Sequence, residues 1–103
     1  MFVRLTYLSI LPGRKKDLEK IYIDQVIPVV QKQPGNTGIR LLEPTTESDQ
    51  FLSLTEWETE ADAQRYESSG TYRTLVDLLK DDYSSKPVLK TYNVVESKMA
   101  LPL

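Results

Sequence analysis

The apolar residues of this chain change their period along its length, from two to about 3.6 and back again, twice over. Period two belongs to strands and the longer period to helices, so the alternation limits the chain to a short list of layered α+β arrangements. Phe2 to Ile10 is rich in Val, Leu, Ile, Thr and Tyr, and alternation puts Val3, Leu5 and Tyr7 on one face and Arg4 and Thr6 on the other. Pro12-Gly13 ends this strand. From Arg14, residues Leu18, Ile21, Tyr22, Val26, Val29 and Val30 fall on one side at helical spacing, with Lys15, Lys16, Glu19 and Lys20 largely opposite. Pro28 removes an amide donor and crowds the carbonyl of Asp24, which predicts a bend or break within that helix. Pro34-Gly35-Asn36 closes it.

Thr37 to Glu43 reads as a second strand, Pro44 to Asp49 as a polar turn, and Phe51 to Trp57 as a third strand with Phe51, Ser53, Thr55 and Trp57 on a shared face. Thr59 followed by Asp62 is an N-cap signal for a short helix through Glu67. Ser68-Ser69-Gly70 interrupts it, and Tyr72, Leu75, Val76, Leu79 and Tyr83 resume helical spacing. Ser84-Ser85-Lys86-Pro87 ends this second helix, and Val88 to Glu96 alternates as a fourth strand.

The order β-α-β-β-α-β, with right-handed crossovers, predicts a ferredoxin-like fold. Its four-stranded antiparallel sheet carries both helices on one face, within one domain spanning residues 1–103. The other face is left open with more apolar and bulky groups than a sheet of this size keeps in water, so a second copy of the chain is the expected cover. The segment from Ser97 to Leu103 is expected to lie across that partner, because its apolar residues need cover and Pro102 opposes further helix.

Composition narrows the chemistry. The 103 residues include no Cys and no His, which removes disulfides, thiolate nucleophiles, imidazole bases and the zinc or haem sites that depend on those ligands. A net charge of −2 supplies no surplus positive field for a nucleic acid. Asp17 and Glu19, or Asp81 and Asp82, do not converge as a cation cage would require, and the glycines form no dinucleotide or phosphate loop. No metal, flavin or nicotinamide is therefore expected. No apolar run approaches the ~18 residues of a membrane span. The cationic cluster Arg14-Lys15-Lys16 follows the first apolar run, the reverse of a secretory signal, and a cytoplasmic protein is expected.

Pro34-Gly35-Asn36, the strand Phe51-Leu52-Ser53-Leu54-Thr55-Glu56-Trp57-Glu58 and the later Ser69-Gly70-Thr71-Tyr72 together resemble the antibiotic biosynthesis monooxygenase family, the dimeric α/β barrels. The resemblance covers roughly Phe2 to Val95. It implies a homodimer whose sheets face each other, with a ligand held between the helices and the sheet of each subunit, and it matches Trp57 to the family tryptophan. In the haem-degrading branch a further Trp and a haem-ligating His occupy the positions of Tyr66 and Val76. In the isomerase-like branch His residues occupy those of Tyr66 and Thr71. In the quinone-forming branch an Asn stands at Ser53 and a Tyr at Ala63. None of those side chains is kept here.

Cofactor-free oxygenation needs a substrate that can itself give an electron to O₂, with a dry pocket and donors that hold its anion. The candidate substrate-binding residues are Trp57, Tyr66, Tyr72, Ser53, Tyr7 and Tyr22, and Arg40 is a candidate fixed positive charge. No catalytic residue is singled out. The expected function is oxidation of a small aromatic or polyketide-like molecule with O₂, without metal or flavin; the alternative is a non-catalytic dimer of the same fold that binds such a molecule.

Overall fold

In the computed structural model, which describes residues 1–98, the sheet is ordered β2-β3-β1-β4 and every neighbouring pair is antiparallel. The strands are β1 (Phe2–Leu8), β2 (Asn36–Leu42), β3 (Phe51–Trp57) and β4 (Val88–Asn93). The α+β, ferredoxin-like reading of the sequence holds. Strand β1 is central because its residues satisfy two partners at once: Phe2 pairs with Trp57 on one side and Asn93 on the other, Leu5 with Leu54 and Lys90.

The first helix is made of three pieces in one continuous run, α1 (Lys15–Ile21), a π-helical turn (Tyr22–Val26) and α2 (Ile27–Val30). The expected break at Pro28 takes this form. With no amide at Pro28 the carbonyl of Asp24 has no donor four residues on, and the ladder widens by one residue so that Ile27 donates to Tyr22. Leu18, Tyr22, Val26 and Val30 form the buried stripe. Val29, expected on that stripe, is exposed, because the extra residue of the π turn rotates the following turn.

The second helical segment is α3 (Glu60–Ser68) and α4 (Thr71–Leu78). Thr59 caps α3 as expected, its hydroxyl accepting the amide of Asp62 at 3.2 Å. Gly70 supplies the left-handed turn between the pieces, with φ of 86°. Helical spacing had suggested continuation to Tyr83, but α4 stops at Leu78 and a 3₁₀ turn (Lys80–Asp82) leads into extended backbone at Tyr83. Long-range ties account for the early stop. Asp82, almost fully buried, accepts from Arg14 Nε at 2.7 Å, its carbonyl accepts the amide of Leu11 at 2.8 Å, and Ile10 bridges Tyr83. The same ties end β1 at Leu8 rather than Ile10. Strand β4 ends at Asn93 rather than Glu96, because its partner β1 begins at Phe2.

Side chains of Phe2, Leu8, Phe51 and Trp57 meet the helices to form the core with Leu18, Tyr22, Tyr66 and Leu75. The opposite face of the sheet is uncovered. By register it presents Val3, Leu5 and Tyr7 beside Leu52, Leu54, Val88 and Tyr92, and the last two are 50% and 48% exposed. No helix among the described residues is long and apolar enough to cross a membrane. The C-terminal segment expected across a partner lies, from residue 99 on, outside the described residues.

Candidate functional site

Because β1 alternates, the face it turns to the helices carries Phe2, Arg4, Thr6 and Leu8, and Arg4 is only 3% exposed. A guanidinium under a helical layer is costly to desolvate unless something is made of its charge and donors. It lines a cavity between the sheet and the helices. The floor is Arg4 and Thr6 of β1 with Ser53 and Thr55 of β3; the helical wall includes Tyr22, Val26, Tyr66, Tyr72 and Leu75. About 450 Å³ of empty space lies within and at the mouth of this cavity, of which only about 40 Å³ admits the centre of a water-sized sphere. The cavity is a slit.

Two polar groupings face this slit. Tyr22 enters from the π turn, and its hydroxyl lies 2.6 Å from Ser53 Oγ and 3.4 Å from the carbonyl oxygen of Arg40. Either hydroxyl of the first pair can donate. The π turn places Tyr22 at its first residue, so the feature caused by Pro28 also carries a cavity side chain. The second grouping is cationic. Arg4 Nη1 donates to Glu67 Oε2 at 3.3 Å, and Arg4 Cζ lies 4.5 Å from the ring centre of Tyr72 and 5.6 Å from that of Tyr66. Arg4 Nη2, equally buried, has no hydrogen-bond partner among the described residues.

Burial pushes the Tyr22 phenol up to about 12, with the Ser53 hydrogen bond opposing the shift. Tyr66 is raised as well, mainly by burial, with Arg4 acting in the other direction. Tyr83, also in the lining, is raised by burial, and its hydroxyl has no partner among the described residues. Tyr22, Tyr66 and Tyr83 are thus protonated at neutral pH and act as neutral hydrogen-bonding groups rather than bases. No carboxylate of the described residues lines the cavity.

Of the six side chains singled out from the sequence, Tyr22, Ser53, Tyr66 and Tyr72 come together around the cavity. Trp57 is 0% exposed and sits behind them: its ring stacks on Tyr66 at 4.9 Å and 27°, and its indole N–H donates to Thr55 Oγ1 at 2.9 Å. Tyr7 stands on the uncovered face of the sheet, with Lys90 Nζ 5.2 Å from its ring centre. Arg40, by its register opposite Leu54, also belongs to that uncovered face, so the fixed charge of the cavity is Arg4 instead. Sequence reasoning passed over Arg4, Thr6 and Thr55. The signal available was that Arg4 alternates in step with Phe2 and Leu8, two large apolar residues, and a charge in such company is a candidate for a buried role.

A family model described as antibiotic biosynthesis monooxygenase matches residues 1–78. Among solved structures, the heme-degrader MhuD from Mycobacterium tuberculosis, with two hemes bound in its active site, is 19% identical. It aligns over 96% of this chain and 100% of its own with a TM-score of 0.80. A protein of unknown function from Nitrosomonas europaea, NE2512, is 17% identical over 98% of this chain and 95% of its own, with a TM-score of 0.77. At these identities the likeness concerns the fold. No curated protein sequence matches the chain.

The donor set of this cavity does not fit a haem. The chain has neither His nor Cys, and no three metal-ligating side chains converge among the described residues. Its Tyr22 and Tyr66 phenols are held protonated, so neither offers the phenolate that a haem iron would take.

Proposed function

The chain belongs to the antibiotic biosynthesis monooxygenase family, and on that premise we propose that it is a homodimeric monooxygenase-like protein of one domain. Its substrate is a small aromatic or polyketide-like molecule, oxidised with O₂ and without metal or flavin. The observation that carries this reading is the enclosed, mostly apolar slit in which neutral hydroxyls and one guanidinium are the polar groups. Such a lining suits an electron-rich ring whose oxygen becomes anionic: apolar walls hold the ring, Arg4 favours the anion, and the Tyr22–Ser53 pair can donate to an oxygen. Conversion of a ring methylene to a carbonyl consumes one O₂, one oxygen atom entering the product and the other leaving as water. The electrons come from the substrate, so the protein has to bind, orient and keep the site dry.

Oxygen uptake with an anthrone or dihydroxynaphthalene probe tests this. Tyr22→Phe and Ser53→Ala each remove one hydroxyl, and each is expected to slow uptake by about tenfold, the equivalent of one lost hydrogen bond, while Tm falls by only several degrees, as loss of the buried Tyr22–Ser53 bond entails. Uptake no faster than the protein-free rate sinks the oxidative reading for that substrate class. One observation favours the second reading, a non-catalytic binder in the same slit: the lining offers no carboxylate or imidazole to take a proton. A probe that binds, is lost in the same variants and consumes no oxygen selects it.

The dimer is proposed to form through the uncovered sheet face. Val3, Leu5, Leu52, Leu54 and Val88 make that face too apolar for water, and a second copy offers a self-complementary cover. Sedimentation of the 11.8 kDa chain is expected at twice that mass. Leu54→Glu, at the middle of the face, is expected to give monomer, since a carboxylate there would be buried without a partner. Monomer throughout for the parent protein at micromolar concentration overturns the dimer.

A further inference from the structure

We propose that Arg4 is an anion anchor, and that the molecule held in the slit is a flat apolar ligand bearing a single anionic oxygen group, a carboxylate or a phenolate. This rests on the reading of the slit as the ligand site and narrows its substrate class. Three features of Arg4 point to it. The side chain is 3% exposed, yet its one ionic partner among the described residues is Glu67, whose side chain is 51% exposed and reaches only Nη1. A carboxylate so placed is largely screened by water and leaves the buried charge weakly neutralised. Nη2 is buried with no hydrogen-bond partner among the described residues, so the fork that could grip two oxygens is half used. Two tyrosine rings stand beside the guanidinium, their centres 4.5 and 5.6 Å from Cζ, an apolar setting in which an anion gains most from the charge.

The lining adds an argument by exclusion. Thr6, Tyr22, Ser53, Thr55 and Tyr66 are neutral and no carboxylate of the described residues lines the slit, so the one competitor for Arg4 among them is Glu67, outside it. The route in is consistent with the same chemistry. An outer groove shares Tyr72, Val76 and Tyr83 with the slit, and its rim carries Arg73, Lys80 and Lys86 against Glu67 and Asp77. Since the slit admits little more than water as it stands, a ring can enter only with movement of its walls, and Tyr72, partly exposed and common to both spaces, is the side chain between them.

Calorimetric titration of the intact protein with benzoate and with benzamide, its neutral isostere, tests the anchor, and titration with 4-nitrophenol followed by visible absorbance tests the phenolate arm. Benzoate is expected to bind at least about tenfold more tightly than benzamide, as a charge-assisted hydrogen bond gained would require. Bound 4-nitrophenol is expected to ionise at lower pH than the free compound. Arg4→Gln should abolish both preferences and leave benzamide binding in place. Should Arg4→Gln fail to fold, Glu67→Gln decides: it removes the competing carboxylate from an exposed position, and benzoate affinity is expected to rise severalfold with benzamide unchanged. Equal binding of benzoate and benzamide, or a Glu67→Gln variant with unaltered benzoate affinity, overturns the anchor while leaving the slit as a ligand site. If neither ring compound binds, the slit reading falls and the anchor with it.

Discussion

Trp57→Ala is expected to cost about 3–5 kcal/mol of stability, read as a lower denaturant midpoint with an unchanged slope. The indole is wholly buried at the end of β3, where Trp57 pairs with Phe2 on one side and Asn36 on the other. Its ring is the base of a short stack, Trp57 under Tyr66 and Tyr66 edge-on to Tyr72 at 5.9 Å and 69°. Truncation opens a cavity beneath Tyr66 and leaves the hydroxyl of Thr55 without its donor. Against a typical total of about 5–15 kcal/mol, a loss of that size leaves a marginal fold. Trp57→Phe keeps most of the packing and loses one hydrogen bond, so about 1–2 kcal/mol is expected. The indole touches the slit lining through Tyr66, by stacking, and through Thr55, by its hydrogen bond, so any loss of ligand binding in Trp57→Phe beyond that in Tyr66→Leu is assigned to the freed Thr55 hydroxyl. A loss below about 1 kcal/mol in Trp57→Ala would mean that the stack does not hold this end of the sheet.

Gly35→Ala should be nearly as damaging, by about 2–4 kcal/mol, for two separable reasons. Gly35 has φ of 81°, a left-handed conformation that a side chain resists. A Cβ there would also collide with the side chain of Asp62. Asp62 cannot simply swing aside: Thr59 Oγ1 donates to its Oδ2 at 2.8 Å and Arg65 Nη1 to its Oδ1 at 3.0 Å. Those bonds, that from Thr59 foremost, hold the Asp62 carboxyl below its usual range. The tightness has a purpose in the fold, because the Gly35 carbonyl accepts the amide of Glu58 at 2.9 Å and so fixes the start of β2 to the end of β3. In a double-mutant cycle with Asp62→Gly, thermal unfolding should show the two changes costing less together than the sum of each alone, with the backbone part remaining. Simple additivity would show that the collision relaxes freely.

Much of the architecture was legible locally. The changes of period, the cap at Thr59, the interruption at Ser68-Ser69-Gly70 and the ladder defect forced by Pro28 depend on residues within one or two turns of each other, and the structure keeps all of them. Alternation also placed Phe51, Ser53, Thr55 and Trp57 on one face correctly. What alternation cannot say is which layer will cover a face. On β1 the more uniformly apolar set, Val3, Leu5 and Tyr7, is the uncovered one, and the helices close over Phe2, Arg4, Thr6 and Leu8. That outcome was decided by the pairing of β1 with β3 and by the side on which the crossovers run. It moved Tyr7 out of the slit, brought Arg4 into it, and set Arg4 beside Glu67, 63 residues away. The meeting of Tyr22 with Ser53 across 31 residues, and the early end of α4 imposed by Asp82 and Arg14 across 68, have the same origin. Period and local chemistry specify elements and the residues that share a face; contacts between faces distant in sequence exist only once the layers have packed, and the chemistry of this slit is made wholly of such contacts.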